Sequence, residues 1–235
     1  MGPLIKIQKT EITNRDNILV FALGVLAAIA LVAYCIPTLQ MINAVTPDGF
    51  IPQTIQPGQP AKQHINWSAL SVLIYAFASI PVIVLFTIRQ FKINPAGIVT
   101  TSSLLLISMI MEIFNSLPML AASLVNIKLS VVSPEVALRF AQSEATRFMG
   151  FDVAGFTLIY MCYMAYGVIL FRRNRLLGYL VAASIVLFIA NVPFLWIAPW
   201  MAVILMVASI LLVAPVPVYM ASLSFKNKNQ LLKQI

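Results

Sequence analysis

The chain has few charged residues, one histidine and two cysteines. Charged side chains make up 9% of its 235 residues and hydrophobic ones 61%, whereas an ordinary soluble domain has about 25% charged residues. A soluble core of this size cannot cover so much apolar surface. The composition therefore excludes a soluble enzyme, a secreted disulfide scaffold and a disordered tail. A lipid bilayer can accommodate it, because one spanning helix uses about 20 apolar residues.

Several kinds of reactive site are excluded by missing residues. The single histidine, His64, excludes metal and haem sites that need two imidazoles at fixed spacing. Cys35 and Cys162 are predicted at different membrane depths, and a disulfide needs Cα atoms within about 7 Å, so we predict two unpaired thiols. The glycine-rich phosphate loops and the GxSxG nucleophile motif are missing as well. We therefore predict no metal, no cofactor and no catalytic residue.

Six apolar runs are each long enough to cross a membrane. Backbone groups inside a bilayer must hydrogen-bond within their own segment, so the runs are predicted to be helices. They cover about residues 17–37, 68–88, 98–125, 151–171, 176–198 and 201–223. The sequence thus predicts an all-α, polytopic membrane protein in which residues 1–235 form a single domain, a bundle of six transmembrane helices. Five prolines are predicted to break four of these helices: Pro81, Pro118, Pro193, Pro215 and Pro217.

A short amphipathic helix is predicted between the third and fourth spans. Ser133, Pro134 and Glu135 are the residue types of an N-cap, a first helical position and an acidic first turn. Beyond them, apolar and polar residues fall on opposite helical faces as far as Met149. We expect this helix to lie at the outer surface of the membrane.

Basic residues are concentrated on one side of the predicted helices. That side carries both chain ends and 11 of the 15 basic residues: Lys6, Lys9, Arg15, Arg89, Lys92, Arg172, Arg173, Arg175, Lys226, Lys228 and Lys233. Loops rich in lysine and arginine remain in the cytoplasm, so we expect both termini to be cytoplasmic. This placement accounts for the net charge of +8, so we expect contacts with membrane lipids and no nucleic-acid partner.

Glu112 is the one charged residue predicted near the middle of a span. An acid at that depth costs about 2.5 to 3.5 kcal/mol on insertion scales, so it is expected to face the bundle interior and to mark a functional site. The other polar residues predicted at a similar or slightly more outward depth are Tyr75, Asn115, Ser116, Tyr160, Tyr163 and Asn191. We predict that they line one outward-opening polar pocket with Glu112 at its floor. For the six residues other than Glu112, the alternative to lining a pocket is that they form hydrogen bonds between helices without a ligand.

Residues 151–158 (FDVAGFTL) and 172–179 (RRNRLLGY) resemble a bacterial family of small multi-pass membrane proteins of unknown function. A polar first outer loop and a short basic turn followed by glycine belong to the same resemblance. The family has a proline in that turn, where this chain has Leu176 and Leu177. The resemblance implies a bacterial inner-membrane protein and supplies no activity or functional residues.

Three classes of function are compatible with this sequence. The first is a non-enzymatic membrane protein that binds a small or lipid-like ligand in the outward pocket, with transport as an extension of that role. The second is an accessory subunit of a larger membrane complex, in which Glu112 pairs with a partner helix. The third is a membrane enzyme that uses Glu112 as acid or base.

Overall fold

A computed structural model describes residues 14–40, 45–46, 49–50, 67–133, 136, 154–169 and 175–231. Within them the chain is helical apart from turns and two short strands. The helices are α1 (Asn14–Gln40), α2 (Trp67–Gln90), α3 (Pro95–Val132), α4 (Ala154–Ile169), α5 (Arg175–Ile197), α6 (Pro199–Val213) and α7 (Pro215–Leu231). The strands, β1 (Val45–Thr46) and β2 (Gly49–Phe50), pair antiparallel.

Five described helices are long and apolar enough to cross a membrane: Asn17–Leu39, Trp67–Gln90, Pro95–Val125, Arg175–Phe194 and Trp200–Leu223, the last formed by α6 and α7 together. Large apolar side chains on their outer surfaces are exposed, including Phe114 at 72% and Ile197 at 77%. Such exposure is unfavourable in water and natural in lipid. The fold is therefore all-α and that of a multi-pass membrane protein, as the sequence predicts.

The remaining predicted span corresponds to α4, whose described part is shorter. Ala154–Ile169 covers about 24 Å at 1.5 Å per residue, and the flanking residues of the predicted span 151–171 lie outside the described residues. The amphipathic helix predicted after Ser133 lies almost entirely outside them as well.

The predicted third span ends at residue 125, as does the apolar span Pro95–Val125 of the structure. Helix α3 itself continues to Val132, because no proline follows Pro118 before Pro134 and helices usually end at or before the residue preceding a proline. The predicted breaks at Pro81, Pro118 and Pro193 are wrong, because α2, α3 and α5 run through these residues. Among the five prolines, all of which lie within the described residues, a break occurs only before Pro215, where α6 ends and α7 begins.

Side-chain contacts show that α1 and α2 run in opposite directions, and so do α3 and α4. A guanidinium nitrogen of Arg89, at the end of α2, donates to Oδ1 of Asn17, near the start of α1, at 2.6 Å. On α3 and α4, Ser102 contacts Tyr166 and Glu112 contacts Gly155. The order of these contacts is reversed between the two helices, as in an antiparallel pair. Arg89, Lys92 and Arg175 consequently mark one end of the bundle, here called the basic end.

The helices pack around a shared apolar core. Helix α1 packs against α2, α6 and α7, α2 also packs against α3 and α7, and α5 packs against α6. Helices α1 and α7 approach each other closely at Gly24, where an added Cβ would lie 2.9 Å from both the Ala221 Cβ and the Pro217 carbonyl oxygen. The missing side chain allows this contact, as small residues commonly do between membrane helices.

Candidate functional site

All seven residues predicted to line the polar pocket are buried. Glu112 has 0% of its surface exposed, and the other six have 7% or less. They lie on four helices: Tyr75 on α2; Glu112, Asn115 and Ser116 on α3; Tyr160 and Tyr163 on α4; Asn191 on α5. The structure thus confirms that Glu112 faces the interior of the bundle.

The Glu112 carboxyl group packs directly against α4 at Gly155. A Cβ added to Gly155 would overlap Glu112 Oε1 and lie 3.0 Å from Glu112 Cδ. Glycine is therefore the residue that leaves room for a buried carboxyl group at this crossing. Gly155 was not among the site residues predicted from the sequence, since a glycine near the start of an apolar helix has no distinguishing pattern.

Two tyrosines join the helices on either side of this contact. The hydroxyl groups of Tyr75 and Tyr163 are 2.5 Å apart, and either can be the donor. Tyr75 also interacts electrostatically with Glu112. We call Glu112, Tyr75, Tyr163 and Gly155 the Glu112 cluster. It places one carboxyl and two hydroxyl groups between α2, α3 and α4.

Asn115 and Ser116 continue the buried face of α3 by one turn away from the basic end. They follow Glu112 by three and four residues, the spacing that places side chains on the same helical face, and each is 2% exposed. Ser108, four residues before Glu112, instead donates to the carbonyl of Leu105 in its own helix at 2.7 Å. The buried face of α3 therefore includes a hydroxyl group whose hydrogen bond is made within its own helix.

Tyr160 belongs to a second group of contacts, which α4 makes with α5 and α6. Its hydroxyl is 2.7 Å from Ser209 Oγ on α6, and its ring stacks on Phe188 of α5 with centroids 4.3 Å apart. The Ser184 hydroxyl on α5 donates to the Ser209 carbonyl at 2.8 Å. These contacts fit the alternative in which polar side chains join membrane helices.

The predicted single pocket is thus divided into two neighbouring groups. Asn191 follows Ser184 by seven residues on the α5 face that packs toward α6. This spacing places it on the same face of α5 as Ser184, which contacts Ser209. Tyr160 interacts electrostatically with Tyr75, so the two groups adjoin through α4. Helical spacing identified the polar faces, but only packing decided which faces meet.

Ser79 is a further buried polar residue, at the depth of Glu112. Thr87 on α2 donates to Ser102 on α3 at 2.6 Å, which fixes the register of this antiparallel pair. Eight residues back from Thr87 along α2 is Ser79, and eight residues forward from Ser102 along α3 is Ile110. Ile110 lies two residues, or about 3 Å along the helix axis, before Glu112. Ser79 and Glu112 therefore lie at a similar depth. Among the residues that the structure describes, the buried Ser79 hydroxyl has no hydrogen-bond partner. Ser79 was not among the site residues predicted from the sequence.

The residues described offer no metal site, since no group of three or more His, Cys, Asp or Glu side chains comes together among them. Cys35 and Cys162 are buried free thiols, which confirms the prediction for both. Acid or base catalysis by Glu112 would need a second ionisable group nearby. Those that the structure places around it are tyrosines, and Asp152 lies outside the described residues.

A separate groove of about 390 Å³ lies on the lipid-facing surface, between α1 and the break that separates α6 from α7. It is lined by Ala28, Ile29, Val32, Leu211, Ala214 and Pro215. This lining is apolar and includes none of the seven predicted site residues. The groove is therefore distinct from the Glu112 cluster.

No family model matches the chain, and no curated protein or solved structure matches it. The resemblance of residues 151–158 and 172–179 to a bacterial membrane-protein family therefore stays a prediction.

Proposed function

We propose that the protein is a non-enzymatic membrane protein that binds a small or lipid-like ligand at the Glu112 cluster. The observation that carries this proposal is the complete burial of the Glu112 carboxyl group among hydroxyl groups from two other helices. A buried acid costs several kcal/mol. A leucine or methionine at this position would pack the bundle at lower cost, so a role in binding accounts for the acid.

Ser79 supports the same proposal independently. A buried hydroxyl without a hydrogen-bond partner costs about 1 to 3 kcal/mol. Among the described residues the Ser79 hydroxyl has no such partner, and the register of α2 against α3 gives it a depth similar to that of Glu112. A polar group of a ligand that reached this depth would satisfy it.

The described conformation is closed around the carboxyl group. Glu112 has no exposed surface, and Gly155 occupies the space beside it. A ligand therefore reaches Glu112 when α4 separates from α3. Opening of a central site by movement of one part of a bundle against another is the geometry of alternating access, which links binding to transport.

The side from which the ligand enters follows from the charge distribution. We propose that the basic end faces the cytoplasm, with both termini there, in a bacterial inner membrane. Asn115 and Ser116 then lie between Glu112 and the outer face. Labelling of single cysteines placed at positions 92 and 66 with a membrane-impermeant maleimide tests this orientation. In intact cells we expect reaction at position 66 and none at position 92; the reverse pattern refutes the orientation.

Mass spectrometry of molecules that remain bound in mild detergent tests the binding role. We expect a small molecule or lipid to be enriched on the wild-type protein and reduced at least about tenfold, equivalent to 1.4 kcal/mol, in Glu112→Gln. Ser79→Ala should reduce it as well. Ser222→Ala is the matched control, because that hydroxyl donates to the Tyr219 carbonyl of its own helix at 2.8 Å. Identical bound molecules in all four proteins would refute ligand binding at Glu112, and enrichment of a partner protein instead would favour the accessory-subunit role.

A further inference from the structure

A second set of hydroxyl groups lies between the Glu112 cluster and the basic end. Ser102 Oγ is 2.6 Å from the Tyr166 hydroxyl, and Thr87 Oγ1 is 2.6 Å from Ser102 Oγ. These three residues come from α3, α4 and α2, the same helices that form the Glu112 cluster. Ser102 precedes Glu112 by ten residues, or about 15 Å along α3.

The two sets of hydroxyl groups adjoin on α4. Tyr163 and Tyr166 are three residues apart, which places them on the same face, and they interact electrostatically. The resulting sequence of groups is Glu112, Tyr75, Tyr163, Tyr166, Ser102 and Thr87. It contains two hydrogen-bonded segments. The first joins Tyr75 to Tyr163, and the second joins Tyr166 to Ser102 and Ser102 to Thr87.

The hydrogen bonds in this sequence can reverse their direction. Either hydroxyl can donate in the Tyr75–Tyr163 and Ser102–Tyr166 pairs. Thr87 has two acceptors within reach of its single proton, Ser102 Oγ at 2.6 Å and the Ile83 carbonyl oxygen at 2.7 Å. A hydroxyl group both donates and accepts, so each member can receive a proton on its oxygen while it releases its own.

Gln90 continues the path for one further turn of α2. Its side chain is 1% exposed, and neither Nε2 nor Oε1 has a hydrogen-bond partner within the described part of the chain. Gln90 follows Thr87 by three residues and precedes the turn that contains Lys92. Its amide is therefore a buried donor and acceptor between the hydroxyl groups and the basic end, suited to hydrogen-bond water.

From these contacts we propose that Glu112 exchanges a proton with the aqueous phase at the basic end through the hydroxyl groups of Tyr75, Tyr163, Tyr166, Ser102 and Thr87. Only O–H bonds break and form. Within each hydrogen-bonded segment the arriving proton displaces one from the next hydroxyl group. A water molecule or side-chain rotation carries the proton from Glu112 to Tyr75 and from Tyr163 to Tyr166, and the last proton enters water beyond Gln90. The hydroxyl groups then rotate back. Chains of this kind next to an intramembrane acid are typical of proton relays.

The titratable groups near Glu112 come from three helices. They are Tyr75 of α2, Tyr160 and Tyr163 of α4, and the thiols Cys35 of α1 and Cys162 of α4, which adjoin these tyrosines. The cations Arg89, Lys92 and Arg175 lie at the basic end, and Arg89 is hydrogen-bonded to Asn17. In this part of the described structure, Glu112 is thus the carboxylic acid that the relay would serve.

Infrared difference spectroscopy after a pH jump tests the relay without any ligand. Vesicles are selected, through a C-terminal tag, for molecules whose basic end faces outward. A rapid fall in the outer pH should raise the carbonyl band of protonated Glu112, and Glu112→Gln should abolish that band. Tyr166→Phe and Thr87→Val should slow its rise at least about tenfold, while Thr87→Ser, which keeps the hydroxyl group, should restore the wild-type rate.

Tyr179→Phe and Thr100→Val are the matched controls, because both side chains are exposed on the outside of the bundle. Wild-type rates in both Tyr166→Phe and Thr87→Val would overturn the relay, as would a band that responds only to the inner pH or persists in Glu112→Gln. Because no ligand is present, such a failure is separate from loss of ligand binding. Conversely, if the relay operates but mass spectrometry finds no bound molecule, only the proposed binding function is contradicted.

Discussion

Substitution of Gly155 by alanine should destabilise the protein through its contact with Glu112. The new Cβ would overlap Glu112 Oε1, and Glu112 has no exposed surface into which its carboxyl group could move. Overpacking of a buried site costs about 1 to 3 kcal/mol. In a Glu112→Ala background the space is open, and alanine should then be favoured over glycine by about 0.5 to 1 kcal/mol because of its helix propensity. The two substitutions should therefore be coupled by about 1.5 to 4 kcal/mol.

Equilibrium unfolding in mixed micelles of a mild detergent and SDS, followed by circular dichroism, measures all four proteins of this cycle. Gly167→Ala is the matched control on the same helix. Its Cβ would meet the Val181 Cβ at 3.6 Å, an ordinary van der Waals contact, so it should be neutral or slightly stabilising. If Gly155→Ala changes the free energy of unfolding by the same amount with and without the Glu112 side chain, the carboxyl group does not pack against Gly155 and the proposed site geometry is incorrect.

Two further predictions use the same unfolding assay. Gly24→Ala should lower the free energy of unfolding by about 1 to 3 kcal/mol, because the new Cβ would lie 2.9 Å from a backbone carbonyl oxygen of α7 that cannot rotate away. A stability equal to that of Gly167→Ala would contradict this close approach of α1 and α7. Tyr75→Phe and Tyr163→Phe should each be destabilising, and their double-mutant cycle should give a coupling of about 0.5 to 2 kcal/mol, the range for hydrogen bonds between membrane helices. Tyr179→Phe, a change in an exposed side chain, is the control and should have little effect. Additive effects of the two buried substitutions would argue against the Tyr75–Tyr163 hydrogen bond.

The five predicted spans that the structure describes in full agree with its apolar helices, and their ends agree to within four residues. Hydropathy is summed over about 20 residues, so it depends little on which partner a helix has. The full length of a helix depends on single residues, and α3 continues past its apolar span to Val132 because no proline occurs there before Pro134. The prolines in α2, α3 and α5 suggested breaks, but membrane helices tolerate proline where neighbouring helices and local adjustments satisfy the freed backbone groups.

The sequence by itself determined the membrane class and singled out Glu112, because an apolar segment and a charge inside it have a transfer cost that needs no knowledge of partners. Tertiary structure alone decided that Gly155 adjoins Glu112, that Tyr75 meets Tyr163, and that Tyr160 turns instead toward Ser209. The physical reason is that lipid and protein core are both apolar. A hydrophobic stripe therefore does not indicate which way a membrane helix faces, and close packing with a few hydrogen bonds sets the arrangement of the polar groups.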